Sequence, residues 1–415
     1  MLPVNEAEAI ILNEAQPMGV SDTEIVDLWE AVGRVVAVPV TSRLDFPHWD
    51  NSAMDGYAVR YADVSQCSAE NPTILDIIEE IPAGYAPQMA IAPRQAARIL
   101  TGSMMPSGAD TVVMQENTRT EGSQVYILTA PSQLGAFVRR QGEYYQAGAP
   151  LLDRGTLLSA PEIAVLAAAQ CVQVSVFSKV RVAIISTGSE LVSPDRPLQP
   201  GQIVDSNQYA LAALIEQAGG VPLMLGIVPD NPQAIREAIA EATQIADIIL
   251  SSGGVSVGDY DYVDSVLADL GAKVHFHQVA IKPGKPLTFA TFSQSMQPEG
   301  RSVLYFGLPG NPVSALVTAW RFVVPALKKR SGLAAGWQPK WAIARSRQPL
   351  KSDGRRETYL WGQLIPTPQE SEFELATGSH SSGNLINLAR TNALAVLPVG
   401  ETQVKLGERV KVLYF

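Results

Sequence analysis

Cysteine is nearly absent from this 415-residue chain: only Cys67 and Cys171 occur. Neither a disulfide framework nor a thiolate zinc cluster can be built from two. Basic runs are missing as well. The longest is Lys328-Lys329-Arg330, and 31 Lys and Arg against 41 Asp and Glu give a formal net charge of −10. That argues against nucleic acid as the main partner, because counterion release needs a Lys/Arg face. A local cationic pocket is still allowed. No apolar stretch reaches the ~20 residues of a bilayer span; the longest, around Ile163–Phe177, is interrupted by Gln170 and Gln173. The first residues, MLPVNEAEAIILNEAQ, carry acids where a signal peptide needs a basic region. No membrane contact is expected, and the expected location is the cytoplasm. Two phosphate-binding fingerprints are also missing, the Gly-x-x-x-x-Gly-Lys-Ser/Thr P-loop and the Gly-x-Gly-x-x-Gly dinucleotide turn.

What is present describes a well-buried globular protein, with 46% hydrophobic and 17% charged residues. Its length suggests roughly three domains. The first stretch reads as helix, with Asn5 and Glu8 as a capping pair and a second amphipathic run from Ser21 through Val36. From Phe46 to about Phe137, short strand-like pieces (Thr73–Ile78, Arg98–Leu100, Thr111–Gln115, Gln124–Leu128) alternate with Gly, Pro and Ser. Helical character returns at Ser159-Ala160-Pro161-Glu162. The all-β piece is therefore read as an insertion into a helical domain.

From Lys179 the pattern becomes regular. Strands are expected at Val180–Ser186, Val221–Val228, Asp247–Leu250, Lys273–Ile281 and Val303–Phe306. Between and after them come helices at Ser206–Ala218, from Asn231-Pro232 to Ala242, Asp261–Leu270 and Val313–Leu327. Such alternation predicts a doubly wound, mostly parallel sheet. After Gly332–Pro339, short strands run to Phe415. The expected fold is thus multidomain α/β: a helical/linker domain (1–44 with 140–178), an inserted β-rich domain (45–139), the central α/β domain (179–332) and a C-terminal β domain (333–415).

Ligands of open α/β sheets bind beyond the carboxyl ends of the strands. The loops expected there are STGSEL (Ser186–Leu191), VPDN (Val228–Asn231), SSGGVSVGDYD (Ser251–Asp261), IKPGKP (Ile281–Pro286) and LPGNPVS (Leu308–Ser314). Glycine lets an anion approach the backbone, and helix starts present N–H groups to it. Lys282 and Lys285 add two positive charges beside a tight turn, whereas LPGNPVS carries none. The same edge collects Glu190, Asp205, Asp230, Asp259 and Asp261. Carboxylates beside an anion site repel the ligand unless a hard cation intervenes, a role that suits Mg²⁺. A phosphate-bearing ligand with a divalent metal is the inference. One such loop is usually just a turn, and a lone Asp at a helix start is usually a cap; recurrence on one edge favours function. His275 and His277 share a strand face, but no third ligand lies near and packing is preferred.

In these loops the chain resembles the molybdopterin molybdenumtransferase family, which includes bacterial molybdenum-insertion proteins and the E domain of gephyrin. DNSAMDGYAVR (Asp50–Arg60), RILTGSMMPSGADTVVMQE (Arg98–Glu116), FVRRQGE (Phe137–Glu143), the five edge loops, GRRE (Gly354–Glu357) and the Ser379–Asn384 segment follow in family order. The resemblance implies a homodimer of four-domain subunits that, with Mg²⁺, exchanges the adenylyl group of adenylylated molybdopterin for molybdate. It further implies that AMP is released and molybdenum cofactor forms, with substrate handed over by the molybdopterin adenylyltransferase. It implies that Asp55 and Thr101 reach the active cleft from the second domain, in the partner subunit. It gives Glu190, Asp230 and Asp261 the pterin phosphate and metal, and Lys282, Lys285, Arg355 and Ser381 the molybdate. Gly253, Gly254, Ser256, Pro309 and Asn311 complete the substrate-binding set. Two positions depart from the family: Ser189 stands where it usually has Asp, and Tyr144 where an acid follows RRxGE. The alternatives are a non-catalytic scaffold of the gephyrin E-domain type that binds a partner peptide, and a generic adenylyltransferase or pyrophosphatase.

Overall fold

The computed structural model describes residues 1–19, 21–253, 263–293 and 302–415. They divide into two units. The first holds Met1–Val38, Arg154–Ala160 and Gln173–Phe415; the second holds Pro39–Asp153 and Pro161–Val172.

The first unit begins with helix α1 (Val4–Glu14), which buries Val4, Ala7 and Ile11 at helical spacing. The expected Asn5/Glu8 cap does not form. Pro3 precedes the helix with no side-chain cap, so Asn5 already lies in the first turn, and Glu8 is taken by Arg321. The expected helix Ser21–Val36 is also overturned. Strand β1 (Thr23–Asp27) pairs antiparallel with β2 (Gln173–Phe177), Thr23 opposite Phe177. β-Branched Thr23, Ile25 and Val26 suit a pleated surface, and the deciding partner lies 146 to 154 residues further along the chain, where local periodicity gives no sign of it.

Next come β3 (Arg181–Thr187), α2 (Asn207–Gln217), β4 (Val221–Val228), α3 (Pro232–Ile245) and β5 (Ile248–Ser252). They are followed by α4 (Val263–Asp269), β6 (Lys273–Gln278), β7 (Pro286–Phe292), β8 (Val303–Leu308) and α5 (Pro312–Thr318). The strands form one sheet in the order β4-β3-β5-β8-β7-β6. The first four run parallel, and β7 runs antiparallel to both of its neighbours, β8 and β6. Side chains alternate between two cores. Val182 and Ile184 pack with Leu211, Val313 and Phe322 on one face, and Ala183 and Ile185 with Ile235, Ile239 and Leu267 on the other.

The expected Lys273–Ile281 strand stops at Gln278, and the apolar run Pro286–Phe292 proves to be a strand that the sequence reading did not assign. IKPGKP therefore lies between two antiparallel neighbours. It still reaches the carboxyl edge, because the start of β7 lies beside the end of β8, Thr288 opposite Gly307. The expected helix Val313–Leu327 is α5, then a π-helical run Ala319–Val323, then an α-helix Val324–Arg330. Pro325 donates no N–H and crowds the carbonyl four residues back, which accounts for the changed winding ahead of it.

The C-terminal strands are β9 (Lys340–Ser346), β10 (Glu357–Ile365), β11 (Glu372–Leu375), β12 (Ala393–Leu397) and β13 (Arg409–Tyr414). Their pairing runs β10-β11-β9-β13-β12 and returns from β12 to β10, so the sheet closes as a small barrel. Ile281–Lys282 adds in parallel to the start of β10.

The second unit carries a six-stranded sheet in which Gly56–Val59 lies between Thr111–Met114 and Gln95–Ile99, continuing to Thr73–Ile81, Gln124–Ile127 and Thr118–Glu121. All pairs are antiparallel except Thr73–Ile81 with Gln95–Ile99. The Ala160–Ala168 helix, led by Pro161 and Glu162, forms as its sequence suggests.

Asn231 caps α3: its Oδ1 accepts from the N–H groups of Gln233 (2.9 Å) and Ala234 (3.2 Å). Replacing Asn231 with Ala is expected to lower the unfolding free energy by about 1 kcal/mol, measured by urea denaturation.

Candidate active site at the carboxyl edge of the sheet

Loops from β3, β4, β5 and β8 enclose a cavity of about 790 Å³. Thr187, Glu190, Asp230, Gly253, Pro309 and Asn311 line it, together with Asp205 and Asn207 at the start of α2. Each loop is held by a specific contact. Asn207, 9% exposed, donates through Nδ2 to Ser252 Oγ (2.6 Å) and Gly310 O (2.8 Å), joining the β5 and β8 loops. Gly253 has φ +96°, and a Cβ there would sit 2.3 Å from Thr187 O. Only glycine allows the β5 loop to pass so close to β3.

The carboxylates of this edge separate into different environments. Asp205 is 2% exposed and accepts from the backbone N–H and the side-chain amide of Gln208, both at 3.2 Å, so it serves the start of α2. Glu190 and Asp230 are exposed on the cavity wall. The Ser189 N–H donates to Asp230 Oδ2 and Ser189 Oγ accepts from the Asp230 N–H, both at 3.3 Å. Ser189 thus latches the STGSEL loop to the VPDN loop through both its N–H and its hydroxyl. Asp259 and Asp261 lie outside the described residues, as do Gly254 and Ser256. Among the described residues, no three or more His, Cys, Asp or Glu side chains gather into a metal-binding group.

A second cavity, of about 280 Å³, lies beside the first. Lys282, Lys285, Arg356, Tyr359, His380 and Ser382 are among its walls. Pro286 and Asn311 line both cavities. Lys282 Nζ donates to Asp353 Oδ2 at 2.9 Å, which, with the Arg355 N–H on the other oxygen (3.0 Å), holds the Asp353 carboxyl below its usual range. Of the arginine pair, Arg356 lines the cavity and donates to Ile281 O at 3.4 Å; Arg355 is exposed. Likewise Ser381 is exposed, while its neighbour Ser382 lines the cavity and accepts from Asn311 Nδ2 at 3.1 Å. His275 and His277 lie elsewhere, bonded to Thr291 and Asp264 (3.0 Å each).

In the second unit, two motifs 46 residues apart meet. The N–H and Oγ1 of Thr101 donate to one Asp55 oxygen at 2.7 and 2.8 Å, which lowers the carboxyl pKa. Gly56 lets that turn lie on the neighbouring strand, since a Cβ would be 2.0 Å from Val113 O. Asp50 accepts from Arg140 Nη1 (2.6 Å) and the Gln141 N–H (2.7 Å), joining DNSAMD to the RRQGE turn. Tyr144 is 58% exposed, its ring 5.8 Å from that of Phe46.

Family models for the MoeA N-terminal region (domain I and II), a probable molybdopterin binding domain and the MoeA C-terminal region (domain IV) match residues 2–169, 183–329 and 344–415. A molybdopterin molybdenumtransferase of Nostoc sp. is 61% identical over 392 residues, 94% of this chain and 88% of that protein. The corresponding protein of Haemophilus influenzae is 33% identical over 99% of this chain and 98% of its own length. The chain belongs to the molybdopterin molybdenumtransferase family. The crystal structure of the molybdopterin biosynthesis moeA protein from Pyrococcus horikoshii OT3 superposes with a TM-score of 0.84 at 30% identity, covering 100% of both chains. Molybdenum insertion into molybdopterin is therefore the activity of this enzyme class, and the described fold is the family's. No described helix is long and apolar enough to cross a membrane.

Sequence reasoning did not single out Asn207, Arg356, Tyr359 or Asp353. Arg356 stands beside the arginine it chose, and Asn207 one residue inside a helix start; neither position announces a cavity wall.

Two outcomes follow. Gly253→Ala places a Cβ at positive φ and against Thr187 O, so it is expected to lower the unfolding free energy by more than ~1 kcal/mol, where a Gly→Ala change at a compatible position would be stabilising; urea denaturation measures it. Asp55 has a depressed folded-state pKa, so its stabilising contribution is full above the ordinary value of 3.8 and is lost as pH falls through the lower folded value. Acid titration of unfolding is expected to show wild type losing stability faster than Asp55→Asn below that pH, and parallel curves would contradict this.

Proposed function

We propose that the chain binds adenylylated molybdopterin and molybdate with Mg²⁺ and exchanges the adenylyl group for molybdate, releasing AMP and forming molybdenum cofactor. One observation carries this reading: a small cationic cavity opens beside a larger cavity with carboxylates on its wall. A tetrahedral dianion fits Lys and Arg donors, and the larger space fits a pterin with its phosphate.

In this reading Lys282 and Lys285 hold the molybdate oxygens, with Arg355 and Ser381 or their cavity-lining neighbours Arg356 and Ser382. Gly253, Pro309 and Asn311 line the space for the pterin and its phosphate, and the sequence motif assigns Gly254 and Ser256 to the same set. Exposed carboxylates would suit Mg²⁺ as oxygen donors: Glu190 and Asp230 stand on the wall of the larger cavity, and the sequence motif assigns Asp261 to the same ion. Bound there, the ion would neutralise phosphate charge. Asp55 and Thr101 would complete the cleft from the partner subunit of a homodimer. The carboxylate of Asp55, fixed by two donors from Thr101, would orient the adenylyl group. No protein nucleophile is required; the residues act by positioning and by charge. The setting is cytoplasmic, with substrate passed on by a molybdopterin adenylyltransferase.

Purified protein given adenylylated molybdopterin, molybdate and Mg²⁺ is expected to release AMP and yield active cofactor, and to stop when EDTA removes the metal. Lys285→Ala is expected to lower insertion by roughly 10- to 100-fold, the loss of one charge-assisted hydrogen bond, with its thermal unfolding unchanged. An absence of AMP release by wild type contradicts the proposal; full activity of Lys285→Ala removes that residue from it.

A further inference from the structure

The cationic cavity rests on a buried chain of polar contacts that no part of the proposed chemistry uses. Arg321 lies in the π-helical run after LPGNPVS and is 4% exposed. Its Nη1 and Nη2 donate to the two carboxylate oxygens of Glu8 on α1, at 2.6 and 2.8 Å. Its Nε donates to the Tyr359 hydroxyl at 3.0 Å, and that hydroxyl donates to Glu357 Oε1 at 2.5 Å. Tyr359 is fully buried and forms part of the cavity wall.

Two of these residues bear directly on the loop that carries the lysines. The Glu357 N–H donates to Ala280 O at 2.9 Å, and Ile281 and Lys282 pair with Glu357 and Thr358. On its other side the same segment is tied to the chain start: Leu2 N–H donates to Gln278 O (2.9 Å) and Ala280 N–H to Leu2 O (2.8 Å). The IKPGKP segment is thus clasped between the chain start ahead of α1 and barrel strand β10. Arg321 is the group that joins α1, through Glu8, to that strand, through Tyr359.

A buried guanidinium is costly to desolvate, and it persists where its donors are met. Here all three nitrogens have partners, and the π turn is a feature often found near functional sites. We propose that Arg321 and Tyr359 are positioning residues that fix Lys282 for oxyanion binding. The proposal rests on reading the small cavity as the oxyanion site.

A double-mutant cycle on the full-length protein, with molybdate alone as the ligand, tests it. Lys282→Ala is expected to weaken molybdate binding about tenfold or more. Tyr359→Phe keeps the ring and removes the hydroxyl; it is expected to weaken binding about tenfold. In the Lys282→Ala background the same change is expected to add less than a twofold effect, because the group it positions is gone. Glu8→Gln, which keeps the side-chain shape at a partly exposed position, is expected to act in the same direction as Tyr359→Phe and serves should that variant fold poorly. Binding by Tyr359→Phe or Glu8→Gln within twofold of wild type, or full additivity with Lys282→Ala, overturns the positioning role while leaving the cavity assignment intact. Unchanged binding by Lys282→Ala itself overturns the cavity assignment, and this inference with it.

Discussion

Two residues, Ile281 and Lys282, leave the α/β sheet and pair in parallel with Glu357 and Thr358 at the start of barrel strand β10. Backbone hydrogen bonds are directional and set their register to a single residue. The loop that bears Lys282 and Lys285 is therefore held by the barrel as well as by the sheet. The smaller cavity has walls from both, with Lys285 and Asn311 from one and Arg356 and Tyr359 from the other. Freeing that short pairing would detach the cations from the edge where the glycine-rich loops converge.

Charge is sorted along this edge with little overlap. Lys282, Lys285 and Arg356 lie at the smaller cavity, Glu190 and Asp230 at the larger, and neutral Pro286 and Asn311 separate them. Under the proposed function, this arrangement would place an oxyanion at one end and the phosphate of the pterin at the other. Asp353 already bonds Lys282, so an incoming oxyanion meets a lysine whose direction is preset and whose charge is shared. The pair is part exposed and contributes little to stability; its consequence is for orientation.

Much of this was legible along the chain. Apolar runs such as Val221–Val228 and the Asn231-Pro232 helix start are local signals, and both formed where the sequence placed them. The edge loops stood out because glycine, proline and charge recur at strand ends. What stayed hidden depends on partners far away in sequence. Thr23–Asp27 looked helical until Gln173–Phe177 was seen beside it. Pro286–Phe292 showed only a short apolar run, which periodicity alone does not assign. Asp55 and Thr101 appeared as two separate motifs, and nothing in either one specifies that a single carboxylate oxygen takes both Thr101 donors. Arg321, in a helix with no motif of its own, has partners 313 and 38 residues away.

The central claim is that a tetrahedral oxyanion binds at the IKPGKP cavity rather than along the acidic wall. Crystals soaked in molybdate, with anomalous scattering recorded at the molybdenum absorption edge, test it most directly. The account predicts a peak within hydrogen-bonding distance of Lys282 and Lys285, with an arginine of the Arg355-Arg356 pair completing the site. A fully soaked crystal with no peak there, or with molybdenum only beside Glu190 and Asp230, would contradict it.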